Sequence, residues 1–374
     1  MIHKTINKDY TINILYNSVM DLKMELQKLN KKNVIDPIIY NNKNEDMFSN
    51  NIELKTIINL KSYTRNPKEN TFFLFNSIDN ILNLVYGTKE LSIICFNIND
   101  NKKEIEIKKA HDDDIIGFNH FLDKKNKRDL LMSISALNFL KIWNANNWEC
   151  LLHLEKVNNT GLLSSVCFLN NDGEGLIVTS NSTYIHAEKI KVFNLKGEKI
   201  KEIYNSNEDS LYINTYYDEE QSRIYIIVCS KDYIKSYDYD NNNLYHKYFE
   251  KNSGHHFSFL IYKEKEKEIT KLIESCSTDG LIRIWNFHFG NILYRIRTNL
   301  KPCSLCLWNN KYLFCGSLDG KILIIDIINQ IVFNNFEGHK NWVNCIRKFK
   351  NNKYGECLIT QGFDDTIKIW SNNI

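Results

Sequence analysis

Short runs of alternating apolar and polar residues, separated by polar turns, fill most of this chain. Thr366-Ile367-Lys368-Ile369-Trp370 is one: its side chains alternate between two faces and are rich in β-branched residues, as a packed strand requires. Cys357-Leu358-Ile359-Thr360 predicts a second short strand just before it. Phe363-Asp364-Asp365 between them reads as a turn, because aspartate hydrogen-bonds its own backbone there. Asp279-Gly280 and Asp319-Gly320 predict the same turn in hairpin form. Over residues 52–60, Ile52, Leu54, Ile58 and Leu60 share one face, opposite Glu53, Lys55 and Asn59, which predicts a further strand. The period changes near the N-terminus. Leu15, Val19, Leu22, Leu26 and Leu29, with Ile12 before them, step by threes and fours, a heptad seam on a helix over residues 9–31 capped by Asp9. Residues 41–51 are rich in asparagine and read as a linker.

The strand pattern recurs. The phrase Thr360 to Trp370 has a close copy from Ser275 to Trp285 and worn copies elsewhere. Aligned on the residue that closes each phrase, the copies end at Phe96, Trp143, Phe193, Tyr237, Trp285, Ile325 and Trp370. The intervals are 47, 50, 44, 48, 40 and 45 residues. A propeller blade of four strands repeats at roughly 40–45 residues. Short strands at this spacing, with three prolines in all, argue against a helical solenoid of similar period.

On these phrases the chain resembles the WD40-repeat family of β-propellers over residues 51–374. The resemblance implies an all-β, seven-bladed WD40-type β-propeller closed by an N-terminal strand, with residues 1–50 as a short N-terminal helical extension. In such propellers a strand from the start of the chain completes the last blade; residues 52–60 suit that role, because the sequence ends at Ile374, soon after Trp370. The resemblance also implies a buried hydrogen-bond chain of indole, hydroxyl, imidazole and carboxylate in each well-kept blade. In the last blade these residues are Trp370, Thr360, His339 and Asp364; in the fifth, Trp285, Ser275, His255 and Asp279. The second keeps His111, Ser133 and Trp143 but has Leu137 in place of the aspartate. The sixth has Asp319, with Cys315 and Ile325 replacing hydroxyl and indole. The third carries an insertion around residues 181–188. A serine–histidine–aspartate set invites a catalytic reading. Its recurrence with the fold, ending on an indole donor, favours a structural one: buried polar groups need partners, and a satisfied network fixes one geometry.

Composition adds limits. The net charge of +3 gives no global electrostatic case for nucleic acid. The ten cysteines lack paired spacing, and Cys303-Ser-Leu-Cys306 is a lone pair in an apolar stretch, so neither a metal site nor a cofactor is expected. The polar N-terminus suggests no signal peptide, and no apolar run approaches the roughly 20 residues of a membrane span. These features predict a soluble chain in the cytoplasm or nucleus.

The resemblance places partner binding on the face that carries the histidine loops. There Trp342, Phe363 and Leu318 predict an apolar and aromatic patch near the sixth and seventh blades, and Asp112, Asp113 and Asp114 an acidic run beside the second. Packing between blades, for Trp342, and a solvated loop, for the aspartates, are the plainer alternatives. The expected function is a non-catalytic scaffold that binds other proteins or peptides, with no small-molecule substrate. The helix seam would pack on the propeller, dock a partner or pair two copies. Two other readings stay open: a ligand-sensing or catalytic propeller with a site at the central channel, and a phosphoinositide-binding one, although the chain lacks an Arg-Arg pair.

Overall fold

In the computed structural model, the described residues are 34–35, 52–59, 72–100, 102–123, 126–155, 157, 162–169, 173–182, 189–203, 210–251, 254–264 and 268–372. The helix expected over 9–31, with its seam from Leu15 to Leu29, lies outside them.

Seven antiparallel sheets make up the fold. Blade 1 is built from Phe72–Asn76, Leu82–Gly87, Ile93–Asn97 and Lys102–Ile107, joined in sequence order from the inside outward. Blade 2 follows from Ile115–Asp123 to Glu149–Leu154 and blade 3 from Leu162–Leu169 to Lys199–Glu202. Blade 4 runs from Ser210–Asp218 to Asn243–Tyr248, blade 5 from His256–Glu264 to Ile292–Arg297 and blade 6 from Pro302–Trp308 to Ile331–Glu337. Blade 7 takes Val343–Asn351, Gly355–Gly362 and Thr366–Asn372, and Ile52–Asn59 lies antiparallel to the last of these, with Ile58 opposite Ile367. Val34–Ile35 adds a short parallel strand to the outer edge of blade 5.

The core explains both the repeat and the ring. Among the described residues it divides into seven clusters, one for each pair of neighbouring blades. Phe72 and Leu84 of blade 1 share a cluster with Phe349 and Ile359 of blade 7, so packing joins the last blade to the first. Each closing residue belongs to the cluster shared with the blade before it. Trp143 packs against blade 1, Trp285 against blade 4 and Trp370 against blade 6. Phe193, Tyr237 and Ile325 repeat the arrangement. The recurring residue is therefore a wedge, and its period is the period of blade contact. Replacing such a buried aromatic with alanine costs about 3–5 kcal/mol.

Turns follow the same rule. The residue after the closing position is Asn97, Asn144, Asn194, Asp238, Asn286 or Asp326 in the first six blades. In each, its side-chain oxygen accepts a backbone N–H two or three residues on; Asp326 takes those of Ile328 and Asn329, both at 2.9 Å. Such turns order the step to the outer strand.

Candidate functional site

Blade 7 forms its polar chain completely. Trp370 Nε1 donates to Thr360 Oγ1 at 2.9 Å, and that oxygen lies 2.8 Å from His339 Nε2. His339 Nδ1 is 2.9 Å from Asp364 Oδ1, which also receives the Thr366 hydroxyl at 2.6 Å. The Lys340 amide donates to the other carboxylate oxygen at 2.9 Å. Burial alone would raise the Asp364 carboxyl; the hydrogen bonds from Thr366, Lys340 and His339 outweigh it and hold it at about 2. Burial lowers the His339 imidazole, with Asp364 acting against the shift. The His339 side chain is wholly covered, so it offers no surface to a substrate. Gly362 makes room for it: a Cβ there would lie 2.4 Å from the imidazole.

Blade 2 has the chain without its carboxylate. Trp143 Nε1 donates to Ser133 Oγ at 2.8 Å, and Ser133 Oγ is 2.7 Å from His111 Nε2. Leu137, where an aspartate would stand, is 60% exposed, and His111 Nδ1 is buried without a partner. Burial, then the neighbouring Lys141 and His153, push this imidazole down to about 3.

Blade 5 departs from the expected set. His255 is exposed and stands outside the network, while its neighbour His256 is fully buried, 3.3 Å from Glu274. His256 is the first residue of the inner strand, the place that Val343 holds in blade 7, and it is the ring that turns inward. Ser275 Oγ donates to the Ser258 carbonyl at 3.3 Å, and Trp285 Nε1 is buried without an acceptor. Asp279 pairs with Arg283, whose guanidinium also meets Glu250 at 2.6 Å and Glu274 at 3.5 Å. Arg295 holds the second oxygen of Glu250 at 2.6 Å. Burial disfavours the charge on Arg283, but Glu274, Asp279 and Glu250 together raise its pKa.

Arg283 occupies a position that sequence reasoning passed over. Two residues before the closing residue, Lys141, Lys191 and Lys368 each send an ammonium to a backbone carbonyl of the loop entering the blade: Ala110 at 2.8 Å, Val157 at 3.1 Å and Gly338 at 2.7 Å. The signal was a basic residue in constant register with the aromatic. In blade 5 the longer, forked guanidinium reaches carboxylates instead.

The face bearing these loops carries the aromatic patch. Trp342 is 39% exposed. Phe363 meets it edge to face at 5.0 Å between ring centroids, and the Phe363 N–H donates to the Trp342 carbonyl at 2.9 Å. Phe257 of blade 5 approaches the same indole at 6.4 Å and nearly perpendicular, so Trp342 reaches across blade 6. Trp342, Leu318, Asp319, Asp279 and Arg297 line a cleft of about 630 Å³. Structure thus joins Trp342, Phe363 and Leu318. Asp112, Asp113 and Asp114 sit in the loop entering blade 2, and none of them lines this cleft.

The inner strands of all seven blades surround a central channel of about 450 Å³, whose polar lining comes from Asn119, Tyr212, Asn214 and Arg347. Cys303 and Cys306 are buried; Cys303 Sγ donates to the Val343 carbonyl at 3.1 Å, and burial pushes the Cys306 thiol up to about 11. Among the described residues no group of histidine, cysteine and carboxylate side chains suits a metal ion, and no helix is long and apolar enough to cross a membrane.

Comparison with known families matches residues 331–371 to the WD domain, G-beta repeat. That span starts on the outer strand of blade 6 and ends on the third strand of blade 7, so the sequence repeat is offset from the structural blade by one strand. No curated protein matches the chain.

Proposed function

We propose that this chain, a seven-bladed propeller of the WD40-repeat kind, is a non-catalytic platform for other proteins, binding them on the face that carries Trp342. The observation that supports this most is the Trp342–Phe363–Phe257 cluster: the Trp342 indole meets one ring from blade 7 and one from blade 5, lines a cleft and stays part-exposed. Aromatic anchors beside a concavity with a polar rim suit a compact protein interface. The polar chain of blade 7 ties together the loops that carry Trp342 and Phe363. The channel lining of asparagine, tyrosine, arginine and apolar residues gives no acid–base pair for the catalytic alternative.

Residues 51–374 act as one propeller unit in this reading. Ile52–Asn59 clasps it by completing blade 7, and residues 1–50 form an extension with a docking helix, joined to blade 5 through Val34–Ile35. The platform would work in the cytoplasm or nucleus. Affinity capture with cross-linking from native extract, comparing the full chain with Trp342→Ala and Phe363→Ala, tests the proposal. Partners that cross-link to this face and are lost from both variants, while the melting temperature holds, are the expected result. Recovery of no stable partner, together with a large melting shift from a small molecule, would favour the sensing or catalytic reading.

A further inference from the structure

The outer edge of blade 5 differs from its counterparts. Its strand, Ile292–Arg297, has three buried residues of six, whereas the outer strands of blades 1, 2, 3, 4 and 6 have one or none. Ile296 enters the core cluster shared with blade 6, and its neighbour Arg295 is held by Glu250 at 2.6 Å. Successive side chains of a strand turn to opposite faces, so this edge is fixed from both. The main-chain groups along its outer side are thereby held in place for pairing. Among the described residues this is also the one blade with a fifth strand. Val34–Ile35 lies parallel to the edge, with Val34 opposite Arg295 and Ile35 opposite Ile296.

The added strand shows what the edge accepts: an extended β-branched segment that runs in the same direction as Ile292–Arg297. It also covers little. Its register takes in two of the six edge residues, and residues 292–294 have no outer strand partner among the described residues. In the sequence Pro37 stands two places after Ile35, and proline has no N–H to lengthen a ladder. So short a pairing makes few main-chain hydrogen bonds and is easily displaced.

We propose that this edge is a second interaction site, which takes an extended segment of a partner protein as a parallel strand, and that Val34–Ile35 guards it as a weak resident competitor. The partner segment sets a pair of β-branched aliphatic residues opposite Arg295 and Ile296 and continues beside residues 292–294. Main-chain hydrogen bonds supply the affinity, and the rigid edge needs little ordering to make them. The site is separate from the Trp342 face, and its failure would leave the platform reading as it stands.

The test compares the full chain with the double variant Val34→Asp/Ile35→Asp, which releases the resident strand. The probe is a fluorescein-labelled peptide, Lys-Thr-Val-Thr-Val-Ile-Asp-Lys, followed by fluorescence anisotropy. It should bind the double variant about tenfold or more tighter than the parent, because an intramolecular competitor is gone. Further probes carry an N-methyl group on either the second valine or the isoleucine. A strand turns the N–H groups of alternate residues toward its partner, so one of these probes should lose binding and the other keep it. A benzophenone-bearing copy of the probe should cross-link to Ile292–Arg297. Thermal melts check that the double variant folds; if it does not, Val34→Gly/Ile35→Gly replaces it. No binding to either chain, equal affinity for both, equal binding of the N-methyl probes, or cross-links to another blade would overturn the proposal. If the parent sediments as a dimer and the double variant as a monomer, the occupant is a second copy, and the proposal falls as well.

Discussion

Thr360 is the single atom-scale hinge of blade 7, since one hydroxyl serves both the Trp370 indole and the His339 imidazole. Thr360→Val keeps the shape and strands both groups, so we expect a loss of roughly 2–4 kcal/mol in urea unfolding, with Thr360→Ser near the parent. Blade 2 offers the reverse experiment. Leu137 is exposed, so Leu137→Asp gives up little burial and supplies the acceptor that His111 Nδ1 lacks. Stability should rise by about 1 kcal/mol, and an NMR titration should find the His111 pKa moved up toward its ordinary value. The missing carboxylate also sets a pH dependence. In the folded chain His111 stays neutral down to about 3, whereas an unfolded histidine titrates near ~6.5. Between those values the unfolded state binds the extra proton, so stability falls as pH drops through that window. A series of melts from neutral to acid pH should show this slope, and Leu137→Asp should flatten it.

At the scale of strands and turns, the legible and the hidden parts separate for physical reasons. Blade identity was readable because the closing aromatic must enter the contact with the preceding blade in every repeat, which fixes its spacing. The His339 set was readable because its histidine, hydroxyl and indole recur at nearly the same spacing as His111, Ser133 and Trp143. The fifth blade was misread at His255, because alternation alone cannot say which of two adjacent histidines turns inward; His256 opens the inner strand and is the buried one. The ion cluster behind Asp279 was also hidden: Glu250, Glu274, Arg283 and Arg295 are far apart in sequence and meet only when three strands and a loop converge. Arg283→Met tests what that cluster contributes. It leaves Glu274 and Asp279 without their cation, and we expect a loss of about 3–5 kcal/mol in urea unfolding.

Among the described residues the propeller is a ring of seven contacts between blades. Each blade is wedged against the previous by its closing residue, and the cluster of Phe72, Leu84, Phe349 and Ile359 joins blade 7 to blade 1. Removing residues 1–59 takes away the strand paired with Thr366–Asn372 and bares a flat edge rich in β-branched residues. Such an edge templates association. The truncated chain should melt lower and run as aggregate on size exclusion, whereas removing only residues 1–50 should leave the propeller's melting temperature near that of the parent.

The offset between repeat and blade has a bearing on how the chain comes into being. Ile52–Asn59 leaves the ribosome ahead of blades 1 to 6, but its neighbour Thr366–Asn372 follows them. While those blades are made this strand must wait unpaired, within reach of chaperones or of other nascent chains. Only once Thr366–Asn372 has emerged can the two strands meet and lock.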